Sequence, residues 1–83
     1  MYDSTLNRLL TTKLGLAIRA RRIETGLSEA AVAVAAGVDV SELTEIETGD
    51  QRATPQQLVA LSFALDVRPS WFFADLVGHT GVG

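Results

Sequence analysis

The stretch AAVAVAAGVDVSELTEIETG, Ala30 to Gly49, decides how the chain is read. Small helix-forming residues run up to Gly37, which can end a helix by taking the left-handed conformation that other residues resist. Two residues on, Asp39 opens a second segment. It stands three residues before Glu42, the spacing of a capping box in which each side chain bonds the other's free backbone N–H. Leu43 and Ile46 follow at a helical i, i+3 spacing, and Gly49 stops the segment. The stretch predicts helix, tight turn, helix. It also holds Asp39, Glu42, Glu45 and Glu47 without a single Lys or Arg.

Upstream, Leu6, Leu9, Leu10, Leu14 and Ile18 recur at three- and four-residue steps, which predicts one helix from Ser4 to Thr25 with an apolar stripe. Gly15 is expected to loosen or break its middle, and Gly26 to end it. Ser28 suits the N-cap of a short helix, Glu29 to Ala36. The residues before Leu14 either extend the first helix or fold back on the core, and folding back is the commoner outcome. Downstream, residues 49–53 form a loop, and Thr54-Pro55-Gln56-Gln57 supplies cap, N1 proline and N3 glutamine in order. Leu58, Leu61, Phe63 and Leu65 are expected to be that helix's buried face. A last short helix should start at Pro69 and carry Trp71, Phe72, Phe73, Leu76 and Val77. No segment has a period of two, so the chain reads as all-α with five helices. Residues 1–13 extend helix 1, residues 14–77 form the domain, and residues 78–83 are a flexible tail.

Eighty-three residues fit one small core. With no cysteine and a single histidine, His79 in the tail, disulfides, a thiolate nucleophile and a Cys/His zinc site are excluded. No nucleophile has a base at useful spacing and no glycine loop could cradle a phosphate, so neither an enzyme nor a cofactor is expected. The apolar runs are too short to cross a bilayer and no signal-like start is present, which predicts a cytoplasmic protein. Net charge is −3 and the pI is near 4.9. No basic residue lies between Arg22 and Arg52, a gap that holds Glu24, Glu29, Asp39, Glu42, Glu45, Glu47 and Asp50. Nucleic-acid binders usually show the opposite, a basic face or stripe.

Taken in order, Gly15 to Arg22, Gly26-Leu-Ser28, Val32-Ala33, Ala36-Gly37-Val38, Ile46-Glu47-Thr-Gly49 and Leu58 through Val67 resemble the Cro/C1-type (XRE) helix-turn-helix domain over roughly Leu14 to Leu76. The resemblance implies a helix 2 at 28–36, a recognition helix at about 40–48, and a structural ion pair between Arg22 and Glu47. It also implies where contacts would be made. DNA-binding members usually begin helix 2 with a Ser/Thr-Gln pair and expose Gln, Asn, Arg, Lys or Ser on helix 3, residue types that match purine edges and phosphates. The corresponding positions here are Ser28-Glu29, then Val40, Ser41, Glu42, Thr44 and Glu45. Helix 2 departs further, because Ala30, Ala31, Val34 and Ala35 occupy positions that are usually polar. Alanine needs no partner to explain it in a helix; Val34 does.

Two readings follow. In the first, the chain is a transcriptional regulator that binds another regulator through an acidic, partly apolar face made of Glu29, Ala30, Val34, Val40, Ser41, Thr44 and Glu45. Trp71 joins that set as a partner contact, a dimer contact or a half-buried lid on the core. This reading is similar to small antiactivators of the QseM kind. In the second, the chain is a Cro/C1-type repressor, a homodimer that sets Ser28, Ser41, Thr44 and Glu45 on DNA with Arg52 on phosphate. Charge favours the first reading, since affinity for duplex DNA rests largely on Lys/Arg contacts to phosphate.

Overall fold

The computed structural model describes the backbone of residues 4–72 and the side chains of residues 8–72. Four α-helices lie within that range: α1 (Ser4–Thr25), α2 (Glu29–Ala36), α3 (Val40–Thr48) and α4 (Pro55–Ala64). α1 packs on α3, and α2 packs on both α3 and α4. Ile18, Val32, Ala33, Leu43, Ile46, Leu61, Leu65 and Phe72 form the buried centre. No helix among the described residues is long and apolar enough to cross a membrane.

α1 is unbroken through Gly15, contrary to the break expected there, and residues 4–13 continue it without folding back. Gly15 serves packing. A Cβ at this position would run into the Ile46 carbonyl oxygen and lie 2.8 Å from that of Glu47. Its absence lets the last turn of α3 press against the α1 backbone.

The start of α4 is the capping box read from the sequence. Thr54 Oγ1 accepts from the Gln57 N–H at 3.1 Å, and Gln57 Oε1 accepts from the Thr54 N–H at 2.9 Å. Its buried face differs from the one expected, because Phe63 is 77% exposed. Phe63 is two residues from Leu61, about 200° around the helix, whereas Leu65 at i+4 returns to the inside. At the other end Asp66 takes a left-handed φ of 59°. Arg21, reaching from α1, donates from Nε to the Leu65 carbonyl at 3.0 Å and from Nη2 to that of Asp66 at 3.3 Å. A cation thus meets the negative end of the α4 dipole.

The expected count of five helices becomes four among the described residues. The chain re-enters helical conformation at Trp71 and Phe72, where Trp71 N donates to the Arg68 carbonyl and Phe72 N to that of Pro69. Phe73, Leu76, Val77, His79 and the tail lie outside the described residues. Phe72 is buried. Trp71 is half-buried against the core and meets Phe72 edge to face, with ring centroids 5.2 Å apart.

Candidate functional site

The α2–turn–α3 unit is set by its caps. Ser28 Oγ accepts from the Ala31 N–H at 3.0 Å, which occupies the hydroxyl at the start of α2. Gly37 takes φ 73° and ends that helix, so that only Gly37, Val38 and Asp39 separate α2 from α3. Asp39 has N-cap backbone geometry, but its side chain makes no capping bond. The Asp39/Glu42 capping box is therefore absent. Glu42 has better donors: its Oε2 accepts from Gln51 Nε2 at 3.1 Å and from Gln57 Nε2 at 2.9 Å. Because Gln57 also closes the α4 capping box, one amide links α3 to the start of α4.

Arg22 organises the other side. Its Nε donates to Glu47 Oε2 at 2.7 Å, Nη2 to Glu47 Oε1 at 3.1 Å, and Nη1 to the Leu27 carbonyl at 3.1 Å. Nη2 also lies 3.9 Å from Glu29 Oε2. The side chains of Arg22 and Glu47 retain 12% and 2% of their exposure. A forked guanidinium on a carboxylate, with a backbone acceptor besides, is the arrangement in which buried charges are tolerated. The hydrogen bond that Arg22 donates to Glu47 holds the Arg22 pKa above its ordinary value, against the opposing effect of burial and with lesser help from the charges of Glu47 and Glu29. A raised pKa places the stabilisation below that range and its loss in strong alkali, so the pair is no switch at ordinary pH.

These bonds divide the acids by role. Glu47 is interior, and Glu42 holds the loop and α4. Glu29 is turned toward Arg22 and also accepts from Thr44 Oγ1 at 3.4 Å. Thr44, half-buried, has one hydroxyl proton, which the nearer Val40 carbonyl at 3.0 Å shares with Glu29, so the hydroxyl is engaged within the unit. The exposed residues of the two helices are Ala30, Ala31, Val34, Ala35, Val40, Ser41, Glu45 and Thr48, with Gly37 and Asp39 exposed in the turn between them. Val34 is 81% and Val40 44% exposed. Trp71 packs against the core and on Phe72.

Arg52 is exposed in the loop after α3 and shares a shallow notch with Arg8, Thr11, Gly49 and Asp50. Arg8 was not among the residues singled out from sequence. Its signal is the helical spacing Arg8, Thr12, Gly15, which runs along the line where α3 ends on α1: a Cβ on Gly49 would lie 2.8 Å from Thr12 Oγ1. Among the described residues no cluster of His, Cys, Asp or Glu could hold a metal.

Two short helices joined by a glycine turn, clamped by an arginine from a long first helix and backed by a fourth, define a helix-turn-helix domain of the Cro/C1 type. Residues 13–70 match the family model described as helix-turn-helix domain, and the chain belongs to that family. An HTH-type transcriptional regulator of Sinorhizobium fredii, y4aM, is 37% identical over 67 residues, which is 81% of this chain and 47% of y4aM. The chain thus spans about half the length of that relative. Among solved structures, the restriction-modification controller protein C.AhdI of Aeromonas hydrophila is similar with a TM-score of 0.73 and 30% identity, covering 76% of this chain and 96% of C.AhdI. The clp gene regulator ClgR of Corynebacterium glutamicum superposes with a TM-score of 0.78 at 26% identity, over 83% of this chain and 73% of ClgR.

Proposed function

We propose that this chain regulates transcription by binding another protein, a regulator with a basic and apolar surface, through the outward face of α2 and α3. The observation that carries this reading is the composition of that face. Val34 and Val40 are exposed among alanines, Glu45 is exposed on α3, neither α2 nor α3 carries a Lys or Arg, and Arg22 of α1 is turned inward onto Glu47. Exposed valines exclude water from a partner, and the carboxylate selects a basic one. The same face offers phosphates no cation. An antiactivator, which silences an activator by occupying it, is the regulator such a surface suits.

A second reading, a DNA-binding repressor, is favoured by Arg8 and Arg52 standing together at the end of α3 and by the regulators to which the chain is similar. Fluorescence anisotropy with a labelled mixed-sequence duplex separates the two. DNA-binding domains hold non-specific duplex with Kd of about 10⁻⁴–10⁻⁶ M at physiological salt, weakening steeply as salt rises. The unmodified chain should show no such binding, and Val34→Lys with Glu45→Lys should introduce it. In a two-hybrid screen against the activators of the encoding organism, an interaction should be lost in Val34→Asp and in Val40→Asp with the melting curve unchanged. Steeply salt-dependent duplex binding by the unmodified chain would overturn the proposal.

A further inference from the structure

α1 carries a second apolar line that the domain leaves uncovered. Leu9, Leu16 and Ile23 are 61%, 58% and 54% exposed and stand seven residues apart, with Lys13 and Ala20, also exposed, four residues after the first two. Their side of the helix is opposite Gly15, Ile18 and Arg22, which face the core. Single exposed leucines need no explanation. A seven-residue repeat with intervening positions at i+4 is different: it is the seam of a helix that packs along another helix. Near its C-terminal half the seam is a groove lined by Leu16, Arg19, Ala20, Ile23 and Glu24.

We infer that this face is a self-association surface, on which two copies of the chain pair their first helices in parallel and cross at Ala20. The charges select a second copy as the occupant. Arg19 edges the seam on one side and, on the other, Glu24, which is loosely bridged to Arg21 of its own helix at 3.4 Å and keeps 71% of its side-chain exposure for a second cation. In a parallel pair the residue before the seam meets the partner's residue five positions on, so Arg19 faces Glu24 of the second copy and the contact repeats by symmetry. An antiparallel pair would set like edges together, Arg19 against the other copy's basic edge. Ala20 permits close approach where the axes cross, while Lys13 opposes its own copy and confines tight contact to Leu16 through Ile23. A contact of about two turns is well below the roughly 1,600 Å² of a standard interface, so the dimer is weak and forms at high concentration.

The inference is independent of what α2 and α3 bind. Sedimentation equilibrium over a wide concentration range should show a monomer–dimer equilibrium, abolished by Ala20→Glu with the melting curve unchanged. Arg19→Glu replaces two attractions by repulsions and should weaken dimerisation about tenfold, since each exposed pair contributes a fraction of a kcal/mol. Adding Glu24→Arg should restore it. The chain has no cysteine, so Ile23→Cys under mild oxidation reports orientation: parallel helices cross-link, and the exposed control Arg68→Cys does not. A chain that stays monomeric throughout, a dimer indifferent to Ala20→Glu, or failure of the charge swap to restore association would each overturn the inference.

Discussion

Replacing Glu47 by Gln removes one charge from the interior and little else. The amide keeps the shape of the carboxylate, but Arg22, whose side chain is 12% exposed, is left as a cation with the Leu27 carbonyl at 3.1 Å and the Glu29 carboxylate at 3.9 Å. Removing one partner of a buried pair costs about 3–5 kcal/mol because the other charge stays behind. Glu29 offsets part of that cost, which places the expected loss near the low end, about 3 kcal/mol. A domain of this length has a total stability of about 4–12 kcal/mol. At about 4–8 °C per kcal/mol the midpoint should fall by about 12–24 °C. Urea denaturation followed by far-UV circular dichroism measures the loss, with the slope unchanged. The double variant Arg22→Met with Glu47→Leu should recover most of it, because no unpaired charge remains. A loss below about 1 kcal/mol for Glu47→Gln would place the pair with exposed salt bridges and refute its role in holding α3 against α1. So would a double variant no better than the single one.

Two other substitutions test how the helices are joined. Gly15→Ala gains about 1 kcal/mol in helix propensity, but its methyl meets the backbone carbonyls of Ile46 and Glu47, and overpacking of this kind costs about 1–3 kcal/mol. Thermal melting should therefore show a net loss or no gain, and a clear rise in midpoint would mean that α1 and α3 lie further apart than described. Arg21→Met withdraws the donors from the Leu65 and Asp66 carbonyls. It should cost about 1–2 kcal/mol and speed hydrogen exchange at the Leu65 and Val67 amides, while Arg19→Met leaves both unchanged.

The helices were legible because their punctuation is local. Ser28, Gly37, Gly49 and the Thr54 to Gln57 run act within four residues of the ends that they mark, and these ends stand where the sequence puts them. What escaped was non-local. Gly15 resembles a helix breaker until the end of α3 is known to rest on it. Asp39 and Glu42 have capping-box spacing, yet Glu42 finds Gln51 and Gln57, the second of them 15 residues away on α4. Arg22 and Glu47 lie 25 residues apart, and only the family resemblance joined them. Arg8 shares a helical line with Thr12 and Gly15, but that the end of α3 rests on this line, bringing Arg8 to the notch beside Arg52, is a contact between helices and not a local signal. The outward residues of α2 and α3 were readable as outward because the inward ones, Val32, Ala33, Leu43 and Ile46, keep helical spacing.

The Arg22 fork bears on how such a domain can change its allegiance over generations. The residues that hold the two short helices in place, Arg22, Glu47, Gly15 and the buried aliphatics, share no member with the outward set of Ala30, Val34, Val40, Ser41 and Glu45. Substitutions at exposed positions away from such supports usually move stability by less than about 0.5 kcal/mol. A lineage can therefore walk from one kind of ligand to another by single steps through folded, heritable intermediates, none of which has to be rescued by a compensating change inside.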